Sequence, residues 1–452
     1  MRVPPTRLPP WAFRVDRVAA RVPFPCPAAQ REGKAVSSAA TPDPYEDPVR
    51  FGQRVQILRS RRGMTREQLA GFLGHHASWV KKVETGRMRM PRLPEILRIA
   101  EALRVRSLNE LVGDVSEADV QLFIGPGHEK LPAVAAAINA FPFGVDAPPP
   151  RTDHLRARLA MAWRARHSSP NHRAVLGDLL PGLIRDAQVA VRAAESAAER
   201  RAAQAALSEV YALAQFFLAY QPDAALLWRV AERALVAAQE SEDPHAIGVT
   251  AWLAAQAHRD SGPAHFDAAD DVAERTLRFL RPLLPDASTE VRAIAGALTF
   301  EVAYTAARRL ETGTAWGWWD RAARMAQGLP AGYVHPVTSF GRHIMDAHAV
   351  TVAVELRKGG ESARQAARAE AEAIQSRPRR ARHRIEQARA YYLDGQHETA
   401  LSTLEQAHEA APETIRYNGY ARRIVLEEAE SRFSERRQRA AALAVRIGVL
   451  AA

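Results

Sequence analysis

The residues of this sequence best suited to chemistry are cationic and crowded together. Between Phe51 and Gly113 stand 13 Lys and Arg against five Asp and Glu, a local excess of +8, in a chain whose totals are 62 and 51. Residues 1–50 add +3, with eight basic and five acidic residues, and the remaining 339 residues balance at 41 of each sign. Within the basic stretch Lys81, Lys82, Arg87, Arg89 and Arg92 follow in close succession. A dense patch neutralises successive phosphates, which the same charge spread along a chain does not. The pattern is therefore the electrostatic footprint of a nucleic-acid surface, with a solvated basic face as the alternative. Other chemistries lack their residues. Cys26 is the only cysteine, which leaves neither an internal disulfide nor a cysteine zinc site. His335, His343 and His348 do not have the paired spacing of a zinc helix, and no phosphate loop, dinucleotide fingerprint or nucleophile elbow is present. No catalytic site, metal or cofactor is expected.

Presenting such a patch requires a scaffold, and the apolar periodicity after Phe51 supplies five short helices. Phe51, Val55 and Leu58 give the first helix one apolar face. Thr65 followed by Gln68 forms a capping box that starts the second, whose Leu69, Ala70 and Leu73 turn inward. Gly74 permits a tight turn into a third helix, Ala77 to Glu84. There Val80 and Val83 are buried, while Ala77, Ser78, Lys81 and Lys82 are left on the outer face. Gly86 ends that helix. Ile96, Leu97, Ala100 and Leu103 mark a fourth, and Ser107 with Glu110 caps a fifth.

This order resembles the helix-turn-helix domain of the phage repressor and Cro type, the xenobiotic-response-element family, over residues 51–113. Arg59, Leu69-Ala70, Gly74, Val80, Glu84, Gly86, Pro91, Ala100, Leu103 and Leu111 carry the resemblance. It implies a third helix in the major groove, with His76 beside a phosphate and Ala77, Ser78 and Lys82 at base edges, Lys82 toward the O6 and N7 acceptors of guanine. It gives Lys81, Arg66, Arg87, Arg89 and Arg92 to phosphates, with Arg92 able to reach the minor groove, and it makes Arg59 and Glu84 a structural ion pair. Two positions depart from the family. His76 replaces the expected Ser or Thr cap, and Trp79 stands where a small hydroxyl residue is common. Trp79 reads either as packing on the second helix or as stacking on a sugar or a thymine methyl. One such domain covers a half-site, so a homodimer on double-stranded DNA is expected.

The rest of the chain divides by composition. Residues 1–49 hold ten of the 29 prolines and read as a disordered Pro/Arg-rich tail. Residues 114–150, with Gly125-Pro126-Gly127 and Pro148-Pro149-Pro150, read as a linker. From 151 to 452 the pattern is helical throughout, so the fold class is all-α: a small five-helix bundle followed by an α-solenoid of helix pairs. The clearest pair runs from Ala388 to Pro412, with a turn at Gly395 and small residues at Ala400 and Ala407, and it resembles the tetratricopeptide repeat. Looser pairs span Tyr211–Ala238, Trp252–Leu280, Ala297–Ala326 and Val352–Ile374. Trp163, Leu179-Leu180-Pro181 and Leu183 resemble the opening of the helical domain in bacterial regulators that join these two parts. That likeness implies control by a ligand, peptide or protein partner on the helical domain. The cluster Trp316, Trp318 and Trp319 is expected to pack between helices, with a lining of the concave surface as the alternative. The run Arg377, Arg379, Arg380, Arg382 and Arg384 is expected to form a solvated inter-helix face, with a second nucleic-acid contact as the alternative. No apolar run is long enough to span a membrane, and Arg14, Arg17 and Arg21 interrupt any leader-like stretch, so a cytoplasmic, nucleoid-associated protein is expected. An interaction scaffold with a vestigial helix-turn-helix and a DNA-binding antitoxin are the competing readings.

Overall fold

The computed structural model describes residues 48–88, 91–105, 111, 127–140 and 150–449, with the side chains of 48–50 and 93 excluded. Nearly all of the expected tail, most of the expected linker, Cys26, Arg89 and the Ser107 to Glu110 cap lie outside them. Every regular element among the described residues is helical. Four helices come first: α1 Pro48–Arg61, α2 Arg66–Leu73, α3 Ala77–Glu84 and α4 Leu93–Ala102. Phe51, Val55, Leu69, Leu73, Val80, Val83, Ile99 and Leu103 close them around a core of their own, which Leu111 completes. Within the stretch read as a linker lies a further helix, α5 Leu131–Asn139. Its Val134 and Ile138 are fully buried in the larger core. Two apolar residues one turn apart were the signal for it, hidden between the Gly-Pro and Pro-rich segments.

The helix pairs follow. They are α6 Thr152–Ser168 with α7 His172–Ala193, α8 Ala197–Leu218 with α9 Ala224–Ser241, and α10 Pro244–Asp260 with α11 Phe266–Leu280. Next come α12 Thr289–Arg308 with α13 Thr312–Gln327, α14 Met345–Glu355 with α15 Gly359–Arg368, and α16 Arg377–Leu393 with α17 His397–Ala410. α18 Pro412–Arg416, α19 Gly419–Ala429 and α20 Ser434–Arg446 end the described chain. Each sequence-expected pair falls on one of these. The Ala388 unit begins earlier, at Arg377, and Pro412 opens α18 rather than merely stopping α17. Small residues set the spacing: Ala293, Ala295, Ala303 and Ala307 of α12 are buried, and a Cβ on Gly296 would run into the Phe340 ring.

Within the array α8, α10, α12, α14 and α16 pack each on the next, so the first helices of successive pairs form one continuous inner layer. The array also returns on itself, because α6 packs against α16. Trp316, Trp318 and Trp319 pack partly buried against the core, and Trp319 Nε1 donates to the Met345 carbonyl at 3.2 Å. The arginine run differs from the solvated face expected of it. None of its members is exposed: Arg380 and Arg384 pair with Glu372, Arg382 with Glu386, and Arg377 donates to the Ala410 carbonyl. Only Glu386 is a local i,i+4 partner; Glu372 and the Ala410 carbonyl lie outside α16, which a local reading of charge does not supply.

Burial holds several histidines neutral. It lowers His335 to about 3, aided by His245, whose Nε2 lies 2.9 Å from the His335 Nε2. It lowers His383 to about 4, and His167 to about 3 with help from Arg166. Glu209 is shifted the other way, up to about 7, again by burial. A histidine whose folded pKa is depressed contributes its full stability above pH 6.5 and loses it as pH falls toward the folded value. Glu209 gains stability over the same range but is outnumbered. Chemical denaturation of the full chain at pH 7.5 and pH 5.0 should therefore show a net loss on the order of a few kcal/mol at the lower pH. Equal stabilities would mean that these imidazoles are not buried in their neutral form.

Candidate nucleic-acid interface

The turn between α2 and α3 is fixed at both ends. The Gln68 amide donates to Thr65 Oγ1 at 3.2 Å while the Thr65 amide donates to Gln68 Oε1 at 2.8 Å, completing the capping box. Gly74 closes α2 at φ 69°, a left-handed conformation that a side chain would strain. His76 then enters α3 from extended backbone and makes no side-chain capping bond, so the first amides of α3 are left for another acceptor.

α3 is pinned from behind. Val80 and Val83 are buried, and the Glu84 side chain has no exposed surface. Arg59 Nε donates to Glu84 Oε1 at 2.5 Å and Arg66 Nε donates to Glu84 Oε2 at 2.6 Å, so one carboxylate ties α1, α2 and α3 together. Arg59 also donates to the Met64 carbonyl, at 2.6 Å. The sequence marked Arg59 as the partner of Glu84 but gave Arg66 to phosphate, and with only about a third of its side chain exposed Arg66 is held on Glu84 instead. Gly52 was not singled out at all. A Cβ there would run into the Val83 and Glu84 carbonyl oxygens, so glycine is what lets α1 approach α3 this closely.

The outer face of α3 carries exposed His76, Ser78, Lys81 and Lys82, with Ala77 half-buried beside them. Arg87 and Arg92 are exposed at one side, and Arg89 lies outside the described residues. Among the described residues Lys81, Lys82 and Arg87 have no carboxylate partner, whereas Arg92 Nη1 lies 3.5 Å from Glu430 Oε2. Trp79 turns away from this face: its ring stacks on His75 at 4.0 Å, and His75 Nε2 in turn lies 3.2 Å from Glu95 Oε2. α4 adds Arg98, which joins Glu95 at 2.9 Å to the Leu73 carbonyl at 2.7 Å. On its far side Glu101 meets Arg423 and, at 3.7 Å, Arg357, both from the helical array. The chemistry available on α3 is chiefly donation, from a short row of cations, flanked by a hydroxyl and an imidazole that can both donate and accept.

Residues 50–111 match the family model described as a helix-turn-helix domain. These residues are a helix-turn-helix domain. A curated relative, the HTH-type transcriptional repressor RghR of Bacillus subtilis (strain 168), is 34% identical over 55 residues. The match takes in 12% of this chain and 41% of that relative's length. Among solved structures, a mutant of PrgX aligns with 86% of this chain and 98% of its own at 8% identity, with a TM-score of 0.29. Bacillus thuringiensis PlcR, solved with a peptide and DNA, aligns with 89% of this chain and 96% of its own at 12% identity and a TM-score of 0.19. Superpositions this loose add nothing to the fold described above.

Replacing Glu84 by Ala leaves two arginines around a buried, empty position. The domain should lose about 3 to 5 kcal/mol, the cost of breaking a buried pair from one side. Urea denaturation of the full chain followed by Trp79 emission, in a background with the other tryptophans replaced by Phe, would measure it. An unchanged midpoint would remove Glu84 as the pin of α3.

Proposed function

We propose that the chain is a sequence-specific DNA-binding transcription regulator, acting as a homodimer in the cytoplasm, with α3 as the reading helix and the helical array as the input domain. One observation carries this reading: the outward face of α3 presents Ser78, Lys81 and Lys82 to solvent while Glu84, on the opposite face, is held by two arginines. A helix pinned in this way offers rigid donors at a fixed spacing, which base-edge recognition in the major groove needs. Lys82 and Ser78 take base edges with Ala77 against them, Lys81 and Arg87 take phosphates, and the uncapped amides behind His76 meet a further phosphate at a helix N-terminus. Arg66 and Trp79 serve the domain's own packing, and Arg92 reaches DNA only after leaving Glu430. PlcR, named above with a peptide and DNA bound, gives a precedent for pairing the two inputs in one protein of this kind.

A vestigial domain on a scaffold has no physical need for unpaired lysines on one helix face, so the scaffold reading is the weaker one. The test uses the full chain and duplexes selected from a random pool. Lys82→Ala should weaken selected duplexes more than random ones by about 1 to 3 kcal/mol, the worth of one base contact. Lys81→Ala should weaken both alike and lower the salt dependence. Failure of the pool to enrich any sequence would end the regulator reading, and equal losses for Lys82→Ala on both duplex classes would end its assignment as a base reader.

A further inference from the structure

An open cavity of about 2180 Å³ lies along the inner layer of the array, lined by residues of α6, α8, α10, α12, α14, α16 and α19 and also by residues of α2 and α4. Its charges are mostly paired across the lining. Arg259 meets Glu301, Arg389 bridges Glu355 and Glu386 at 2.8 and 2.7 Å, and Arg382 joins Glu386 at 2.8 Å.

Among the described residues Arg166 and Arg379, both in this lining, have no carboxylate partner. Arg166, on α6, is 5% exposed, and its guanidinium lies over the Phe216 ring at 4.0 Å. Its Nη1 is 3.3 Å from His167 Nδ1 and its Nε meets no acceptor. Arg379, on α16, is half-buried with its guanidinium 5.3 Å from the centre of the Trp252 ring. It donates once, to the Thr338 carbonyl at 2.7 Å, and its Nε is likewise unmatched. They stand on the two helices that pack together where the array closes, and Arg379 is among the charges felt by Arg166. Burial, then Arg379 and Arg173, hold the Arg166 pKa well below its ordinary value. Burial lowers Arg379 to about 10, with Glu301 opposing and Arg382 adding to the shift. The histidines nearby relieve none of this, because His172 and His348 are themselves held neutral by burial and by the same arginines. Buried guanidinium groups without an anion are costly, so an anion arriving from outside would be stabilised between them.

We infer that Arg166 and Arg379 form the anion-binding end of a ligand site in this cavity, taking the oxyanion, carboxylate or phosphate ester, of a ligand whose apolar or aromatic body lies along Phe216, Trp252 and Phe300. The guanidinium forks supply paired donors to the oxyanion, and the ring faces beneath them keep the forks aimed into the cavity. The inference deepens the reading of the array as the input domain and names the chemistry of what it receives.

The test uses the full chain and four probes: N-acetyltryptophan, its carboxamide, phenyl phosphate and inorganic phosphate, each followed by calorimetric titration and by thermal melting. Either the free acid or phenyl phosphate should bind at least tenfold more tightly than the carboxamide, and which of the two is preferred distinguishes carboxylate from phosphate ester. Tight binding of inorganic phosphate alone, without any gain from an aromatic body, overturns the ligand site. Arg166→Met and Arg379→Met should each abolish the discrimination while leaving the melting temperature of the unliganded chain equal or higher, because an unpaired buried charge is removed. A lower melting temperature with discrimination intact would make these arginines structural and overturn the site. Binding to a selected duplex, measured in parallel, separates the two readings. Absence of probe discrimination in the unsubstituted chain when that chain binds DNA sinks the site alone, and probe discrimination in a chain that never binds DNA sinks the regulator alone.

Discussion

The array depends on one carboxylate that joins its two ends. Glu413, on the short helix α18, accepts hydrogen bonds from the backbone amides of Arg173 at 2.5 Å and Ala174 at 3.1 Å, the first turn of α7. A helix N-terminus presents unsatisfied amides and the positive end of its dipole, so a carboxylate delivered there from 240 residues away both satisfies the amides and is itself stabilised. Arg173 answers in kind by donating through Nη1 to the Glu413 carbonyl at 3.3 Å, and His128 Nε2 stands 3.4 Å from the carboxylate. An open solenoid presents its inner layer to solvent. Closed in this way, with α6 against α16, the same layer becomes the wall of a cavity, and charges on it are desolvated. The paired lattice of Arg259, Glu301, Arg389, Glu355 and Glu386 follows from that desolvation, since ions drawn out of water need partners.

The helix-turn-helix domain solves a smaller version of the same problem. It has few residues with which to hold a reading helix rigid, and it does so by burying Glu84 under α3 and surrounding it with Arg59 and Arg66. Gly52 makes this possible by letting α1 come within backbone distance of α3. Polar groups that are fully matched in this way specify one arrangement of the three helices, whereas apolar packing alone tolerates sliding.

How far the sequence discloses these features follows the distance over which each is made. α1 to α4 are readable because every signal is local: the Thr65 capping box, Gly74 in its left-handed turn and the inward spacing of Val80 and Val83 all act within a few residues. The pairs of the array are readable as pairs for the same reason. Closure is not, because Glu413 and Arg173 share no local pattern and nothing in either neighbourhood marks the other. The double use of Glu84 was half legible, since the family resemblance marks Arg59 while Arg66 carries the same charge as a phosphate contact and only geometry separates the two uses. The run from Arg377 to Arg384 shows the same limit. Its charge is visible, but its exposure depends on Glu372 and Glu386 and on how α16 faces the cavity.

Where the two parts meet, α4 packs on α19 and ion pairs join them. Glu101 of α4 is held by Arg423 of α19 and by Arg357, which follows α14, while Arg92 at the start of α4 faces Glu430 just beyond α19. Apolar burial between the two would fix them at a large energetic cost to separate, whereas exposed pairs contribute little individually and exchange readily with water. The arrangement suits a regulator in the proposed sense. Arg389 and Tyr420, through which α16 meets α19, line the same cavity as Arg166 and Arg379. A ligand that shifted α16 against α6 would, on the proposed reading, act on the element that carries Arg423, and through it on Glu101. Such coupling must run both ways: if occupancy of the cavity loosens α4 from α19, DNA that captures Arg92 away from Glu430 must change the affinity of the cavity for its ligand by the same factor.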